Sequence, residues 1–198
     1  MVGLVIDTSS SFASVALIND GKVLFSEVNK FHNKQAESVN LMIENANKQL
    51  NTGFQNYKYV AVTIGPGKLT GLRVGVSIAN ALRFALSIPI ITISNFDVIA
   101  YISGKANFAV VLEAGIKKFY FQEFRNYKSM SNIRLISSDE VLKYSEKHYL
   151  IGNVGNVHKN FLLNAQHIGE YINNMSTNKL KASNRLCYIK PQYFNIYP

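Results

Sequence analysis

Short apolar runs separated by turn-forming residues fill the first half of the chain. Val2 to Ile6 reads as a buried strand that stops at Asp7. Ala13 to Ile18 alternates weakly and reads as a second strand, and Asn19-Asp20-Gly21 supplies the residues of a tight hairpin into a third, Lys22 to Val28. The period then changes. From Asn33 to Leu50 the apolar positions Ala36, Val39, Ile43, Ala46 and Leu50 fall on one helical stripe. A polar loop over 51–57 leads to a strand from Tyr59 to Ile64, a helix from Leu69 to Leu86, and a strand from Ile90 to Ile93 introduced by Pro89.

Three strands, a helix, a strand, a helix and a strand predict a mixed sheet with helices on it, an α/β lobe over residues 1–100. Beyond Tyr101 the pattern partly repeats. Phe108 to Glu113 and Phe119 to Arg125 read as strands joined by Ala114-Gly115-Ile116-Lys117, and Arg134 to Ile136 as a third. Ser137-Ser138-Asp139-Glu140 then supplies an N-cap for a helix to about Lys147, and Tyr149 to Gly152 is a short strand. Residues 153–184 are polar and poorly periodic. A smaller second lobe over 101–198 is expected.

The run from Thr63 to Gly75, TIGPGKLTGLRVG, carries the most information. Gly65 and Gly67 flank a proline, so the backbone turns sharply there. Gly67, Gly71, Gly75 and Ala79 then recur every fourth residue and make one smooth groove along the helix. A glycine inside a helix costs roughly 0.5–1 kcal/mol relative to alanine, so something other than helix stability favours them. The helix is apolar nearly all round apart from Arg73, Asn80 and Arg83 and must be covered on more than one side. On the preceding helix Leu41 lies about 180° from the centre of the apolar stripe, while Met42 widens it. Together these features predict a protein partner on the two helices.

Candidate chemistry is sparse. Asp7-Thr8-Ser9-Ser10 between the first two strands can face a nucleotide phosphate through Mg²⁺, or can satisfy its own backbone as an Asx/Ser turn. Gly65-Pro66-Gly67 lacks the spacing of a Walker loop. His32, His148, His158 and His167 are dispersed without a metal-ligand spacing, and no G-x-S-x-G elbow is present. The net charge of +9 supports only non-specific attraction to RNA, because the lysines are scattered and aromatics do not interleave with them. The opening residues lack a basic region and meet Asp7 too early for a signal peptide, no run is long enough to span a membrane, and Cys187 is the single cysteine. A reducing cytoplasm is the expected setting.

These residues resemble a known family. Ile6-Asp7-Thr8-Ser9, Ser14-Val15-Ala16-Leu17 and Gly65-Pro66-Gly67-x-x-Thr70-Gly71-Leu72-Arg73-Val74-Gly75 are similar to the TsaB family, also called YeaZ, and Pro191-x-Tyr193 resembles its terminal Pro-x-Tyr element. The resemblance implies an actin-like ATPase superfamily fold of two ribonuclease-H-like lobes, the second reduced. It implies a non-catalytic partner of TsaD that acts with TsaE to install threonylcarbamoyl on tRNA adenosine, with the donor supplied by TsaC. It also implies a homodimer in isolation, no cofactor of the chain's own, and ATP or ADP only in the complex. The expected interface, with TsaD or a second copy, lies on the two helices, with Gln35, Val39, Leu41, Met42, Gly67, Gly71, Gly75 and Ala79 as candidate contacts. Asp7, Thr8 and Ser9 are candidate phosphate contacts.

Departures from the family pattern are Lys68 and Leu69 after Gly-Pro-Gly, Glu113-Ala114-Gly115 in place of Asp-Ala-Arg, and Gln35 where a histidine is common. In the paralogue TsaD an iron-binding His-x-x-x-His follows the strand matching Ile90–Ile93, and this chain has Asn95 and Ile99 there. Neither offers an imidazole. The rival readings are an ATP-dependent kinase or ATPase of the same superfamily and a peptidase.

Overall fold

Asp20 and Gly21 both adopt left-handed backbone, with φ of 45° and 80°, and close the predicted hairpin tightly. The structure is a computed structural model that describes residues 2–29, 31, 34–155, 157–175 and 182–189. The expected elements at His32, Asn33 and Pro191-x-Tyr193 lie outside the described residues.

Strands β1 (Val2–Asp7), β2 (Ser14–Asn19), β3 (Lys22–Val28), β4 (Tyr57–Thr63), β5 (Ile90–Ile93) and the short β12 (Ala182–Ser183) form one sheet in the order β12-β5-β4-β1-β2-β3. β2 runs antiparallel to β1 and β3, whereas β4 is parallel to β1 and β5 parallel to β4. The central β1 and β2 are buried on both faces and read as unbroken apolar runs; β3, beside β2 at the edge, alternates between exposed and half-buried positions. β4 starts two residues before the predicted strand, because Tyr57 already pairs with Val2.

Helices α1 (Gln35–Gln49) and α2 (Leu69–Leu86) cover one face of this sheet. The buried set on α1 is Gln35, Val39, Met42, Ile43 and Ala46. Ala36, predicted inside, is exposed. The inward face is rotated because the Gln35 side chain is tied to the β1–β2 turn.

The second sheet contains β6 (Asn107–Gly115), β7 (Lys118–Arg125), β8 (Lys128–Ser129), β9 (Arg134–Ser137), β10 (Leu150–Gly152) and β11 (Lys159–Asn160). Its order is β11-β10-β6-β7-β8, with β9 also on β7. β6 and β7 form an antiparallel hairpin, and β10 is parallel to β6. The arrangement repeats the first sheet's plan in miniature. α4 (Ser138–Ser145) opens with a full capping box: the Glu140 amide donates to Ser137 Oγ, and the Ser137 amide donates to the Glu140 carboxylate. Each of these two sheets thus carries an antiparallel three-strand unit followed by a parallel strand, a mixed α/β arrangement.

The sequence reading places neither of two further helices. α3 (Asn95–Ile102) is short and apolar on most sides, so it shows no clean period. α5 (Ala165–Asn174) buries Ala165, Ile168, Gly169 and Ile172, and its N-cap Asn164 accepts from the His167 amide. That cap, with apolar positions at helical spacing behind it, is the signal that could have revealed the helix.

The second sheet lies wholly beyond residue 100, but the chain after it returns to the first. α5 packs on β1, β2 and β3. Gly169 of α5 faces Ile18, whereas Gly75 of α2 faces Val62. By strand alternation these side chains lie on opposite faces, so α5 covers the face that α1 and α2 leave open. The Ala165 amide donates to Ser14 Oγ, and β12 adds to the edge at β5. Burying the second face of the first sheet requires this return.

Candidate functional site

Three parallel strands, β1, β4 and β5, end on the same edge of the first sheet, the position at which open α/β sheets place ligands. The chain leaves these ends through the turn Asp7–Ser10, the turn Ile64–Lys68 and the start of α3 at Asn95.

The Asp7 carboxylate is 1% exposed. Its Oδ1 accepts from the Ser9 amide at 3.0 Å and from Thr63 Oγ1 at 2.8 Å. Burial pushes its pKa above the usual carboxylate range, and the hydrogen bonds from Ser9 and Thr63 pull only partly the other way. Ser10 Oγ accepts from the Phe12 amide at 3.1 Å. The tetrapeptide thus hydrogen-bonds its own backbone in the manner of an Asx/Ser turn.

The glycine groove is filled from within the chain. A Cβ on Gly67 would stand 2.4 Å from the Ser9 carbonyl oxygen, one on Gly71 2.0 Å from the Thr8 carbonyl oxygen, and one on Gly75 2.4 Å from Thr8 Oγ1. The Lys68 amide donates to the Ser9 carbonyl at 2.7 Å, and Lys68 Nζ donates to Ser11 Oγ at 2.8 Å. From α1, Gln35 Nε2 donates to the Ser10 carbonyl at 2.8 Å. Both helices thus clamp the β1–β2 turn at their N-terminal ends.

This corrects the expectation that the groove receives a second molecule. Gly71, Gly75, Ala79, Val39 and Met42 are buried in the chain's own packing, and Gln35 is buried against Ser10. Gly67 is half-buried against Ser9. The physical reason is reach: only a backbone segment already on the sheet edge lies close enough to touch the glycines. Among the candidate contacts Leu41 stands out, at 57% exposed. Phe84 on α2 is 81% exposed and was not singled out in the sequence, where a helix apolar on all sides does not reveal its outer face.

Asp7, Thr8 and Ser9 are buried. Thr8 Oγ1 has no hydrogen-bond partner and points at α2. Between Ser9, Pro66, Gly67 and Asn95 on one side and Leu112 and Asn153 on the other, the free volume is about 20 Å³. That is room for one water and not for a nucleotide, so this gap in the isolated chain does not fit the ATP or ADP that the resemblance implies only in the complex. Asn95 Nδ2 donates to the Pro66 carbonyl at 2.9 Å, and its amide donates to the Gly65 carbonyl at 3.0 Å. Ile99 is buried in the core. Among the described residues no cluster of three or more His, Cys, Asp or Glu has the geometry to hold a metal.

Two of the polar breaks in α2, Asn80 and Arg83, also bond to the chain's own backbone. Asn80 Nδ2 donates to the Cys187 carbonyl and its Oδ1 accepts from the Cys187 amide, both at 3.0 Å. Arg83 donates to the Asn184 carbonyl. The side chains hold the returning segment at the edge of the first sheet.

Comparison with known proteins agrees with this architecture. The family model described as TsaD, tRNA N6-adenosine threonylcarbamoyltransferase, matches residues 26–186. A tRNA threonylcarbamoyladenosine biosynthesis protein TsaB of Buchnera aphidicola subsp. Schizaphis graminum is 30% identical over 163 residues, covering 76% of this chain and 77% of that protein. The chain belongs to the TsaB family. The TsaB of Haemophilus influenzae is 30% identical over 135 residues, 65% of this chain and 56% of that protein. A tRNA N6-adenosine threonylcarbamoyltransferase of Clostridioides difficile is 26% identical over 113 residues, and the chain spans 33% of its length. YeaZ from Pseudomonas aeruginosa superposes with a TM-score of 0.74 at 16% identity, over 94% of this chain and 99% of that one, a likeness of fold. As a TsaB relative the chain falls within tRNA threonylcarbamoyladenosine biosynthesis. Among the described residues no helix is long and apolar enough to cross a membrane.

Proposed function

We propose that this chain is a non-catalytic partner subunit of TsaD in the threonylcarbamoylation of tRNA adenosine. TsaE is the third component, and tRNA is met only through the complex. The observation that carries the reading is the state of the Asp7 turn. Its carboxylate is spent on Ser9 and Thr63, and α1 and α2 clamp the turn behind it. Groups locked into the fold in this way are ill placed to act on a substrate.

The outward faces of α1 and α2 remain for a partner, with Leu41 and Phe84 as apolar anchors. TsaD occupies this face in the complex, and a second copy of the chain occupies it in isolation. The chain contributes by shifting TsaD toward a competent conformation. ATP or ADP belongs to the assembled complex, and the chain works in the cytoplasm.

Reconstitution tests the reading. Threonylcarbamoyl transfer to tRNA is measured with TsaD, TsaE and the threonylcarbamoyl-adenylate donor, with and without this chain. Loss of transfer on omission is expected. Full-rate transfer without the chain overturns the proposal, as does steady ATP hydrolysis by the pure chain.

A further inference from the structure

Folding gathers charge that is scattered along the sequence. In the second sheet β10 is parallel to β6 and β11 to β10, so the starts of all three strands lie on one edge, beside the end of β7 and the start of β8. In sheet order that edge carries His158 before β11, Tyr149 before β10, Lys105 before β6, Arg125 at the end of β7 and Lys128 at the start of β8. Lys105, Arg125, Lys128 and His158 are exposed. Neighbouring strands stand about 4.8 Å apart, so the row is roughly 19 Å long. Lys105 Nζ lies 4.8 Å from the centre of the Tyr149 ring, and that ring stacks on His158 with centroids 5.1 Å apart. The Asn126 amide donates to the Ala106 carbonyl at 2.7 Å, which ties the β7–β8 turn to the chain next to Lys105.

The β7–β8 hairpin is built against its own stability. Arg125 pairs directly with Lys128 across the strands, and like charges so placed destabilise a strand pair. All 12 Asp and Glu side chains of the sequence belong to the described residues, and no ion pair among these joins one of them to Lys105, Arg125 or Lys128. Between the two cations Asn126 and Tyr127 both stand in left-handed backbone, with φ of 48° and 63°. Glycine is the natural second residue of such a turn, and a bulky ring there is strained. Tyr127 is nonetheless exposed. Two conflicts with local stability at one turn mark a surface kept for contact.

The chemistry of the row selects its occupant. Three cations attract a polyanion. Lys105, Arg125 and Lys128 extend over two strand spacings, about 10 Å, which suits successive phosphates of one chain. His158 Nδ1 accepts from the Leu150 amide at 3.1 Å, so the neutral imidazole carries its proton on Nε2 and keeps a donor. The exposed Tyr127 ring suits an unstacked base, which single-stranded RNA offers and a duplex or an anionic membrane does not. The opposed charges of Glu146 and Lys147, both exposed at the end of α4, offset each other. Asp97 and Glu170 line a cleft that Tyr127 also lines, and their charge repels phosphate, so the row ends at Tyr127.

We propose that this edge of the second sheet binds single-stranded RNA, with Lys105, Arg125 and Lys128 on successive phosphates and Tyr127 against an unstacked base. Such a contact reads no sequence and is weak by itself, so it steadies tRNA that the complex already holds. The inference adds to the TsaD reading without resting on it, since none of these residues lies on α1 or α2 and the test uses the chain alone.

The full-length chain is titrated against a fluorescent oligoadenylate of about ten nucleotides, with anisotropy as readout over a series of salt concentrations. Binding at low salt is expected. Replacing Lys105, Arg125 and Lys128 together by glutamine should weaken it about tenfold or more and flatten the plot of log affinity against log salt by about two, the release expected for three phosphates on a single strand. A control variant with glutamine at the exposed Lys22, Lys48 and Lys58 of the first sheet and α1 loses the same charge and should bind within about twofold of the parent. Tyr127→Gly should weaken binding roughly fivefold or more through the lost stacking, and should melt at the same or a higher temperature because it relieves the turn. Circular dichroism confirms that each variant is folded. No binding by the parent at low salt, equal losses in the two triple variants, or full affinity in Tyr127→Gly overturns the proposal. So does binding of phosphatidylserine vesicles with the same dependence on the three cations and Tyr127, which would make the edge a membrane contact.

Discussion

The Cβ that Gly71 lacks would stand 2.0 Å from the carbonyl oxygen of Thr8. The two motifs that mark this family in the sequence, Asp-Thr-Ser after β1 and the glycine series on α2, are therefore two halves of one joint. The glycines let α2 lie against the turn, and the turn uses its own polar atoms and those of Lys68 and Gln35 to hold its shape.

Gly71→Ala tests the joint. In an exposed helix this change stabilises by about 1 kcal/mol. Here the methyl group meets backbone that cannot swing away, and a loss of about 1–3 kcal/mol is expected. Urea denaturation read by circular dichroism measures it. A stability equal to or above the parent's would remove the joint.

Asp7→Asn is expected to stabilise the chain at neutral pH. The unfolded carboxyl ionises near 3.8, whereas burial makes the folded one release its proton at higher pH. Stability from this group is thus full below pH 3.8 and falls as pH rises through the folded value. Asparagine keeps Oδ1 as acceptor for Ser9 and Thr63 and carries no charge. A melting temperature raised by about 2–4 °C at pH 7, with the gain vanishing below pH 3.8, is the expected profile. A gain that grows toward acid pH would contradict the burial argument.

Asn80→Leu removes both hydrogen bonds that tie Cys187 to α2. The buried Cys187 amide and carbonyl lose their partners, at a cost of about 1–3 kcal/mol. Cys187 is the single cysteine, and burial raises its thiol pKa, so labelling by a thiol reagent reports release of this segment alone. Labelling roughly tenfold faster is expected in a chain whose global fold persists. Unchanged labelling would show that the segment is held by other contacts.

Leu41→Asp and Phe84→Asp probe the outward faces of α1 and α2. Both side chains are exposed in the isolated chain, so neither change disturbs the core. Burial of an unpaired carboxylate at a contact should weaken association with TsaD by tenfold or more. Calorimetry with TsaD measures this, with circular dichroism as the folding control. Full affinity in both folded variants would place the interface elsewhere.

Local pattern determined much of this protein. The hairpin at Asp20-Gly21, strands β1 to β5 of the first sheet, both long helices and the N-cap at Ser137 all come from spacings of two, three or four residues and from turn chemistry. Those signals survive in any tertiary setting, because neighbouring residues generate them. The tertiary structure decided which surface each apolar or small-residue face would meet. The groove at Gly67, Gly71 and Gly75 was legible, but its occupant was not, since Thr8 and Ser9 lie some sixty residues upstream. The same holds for Gln35, expected as a partner contact and found as a clamp on Ser10, and for α5, whose apolar positions acquired meaning only once the first sheet had a bare face to cover. Periodicity states that a face must be buried; the closing of the chain on itself states against what.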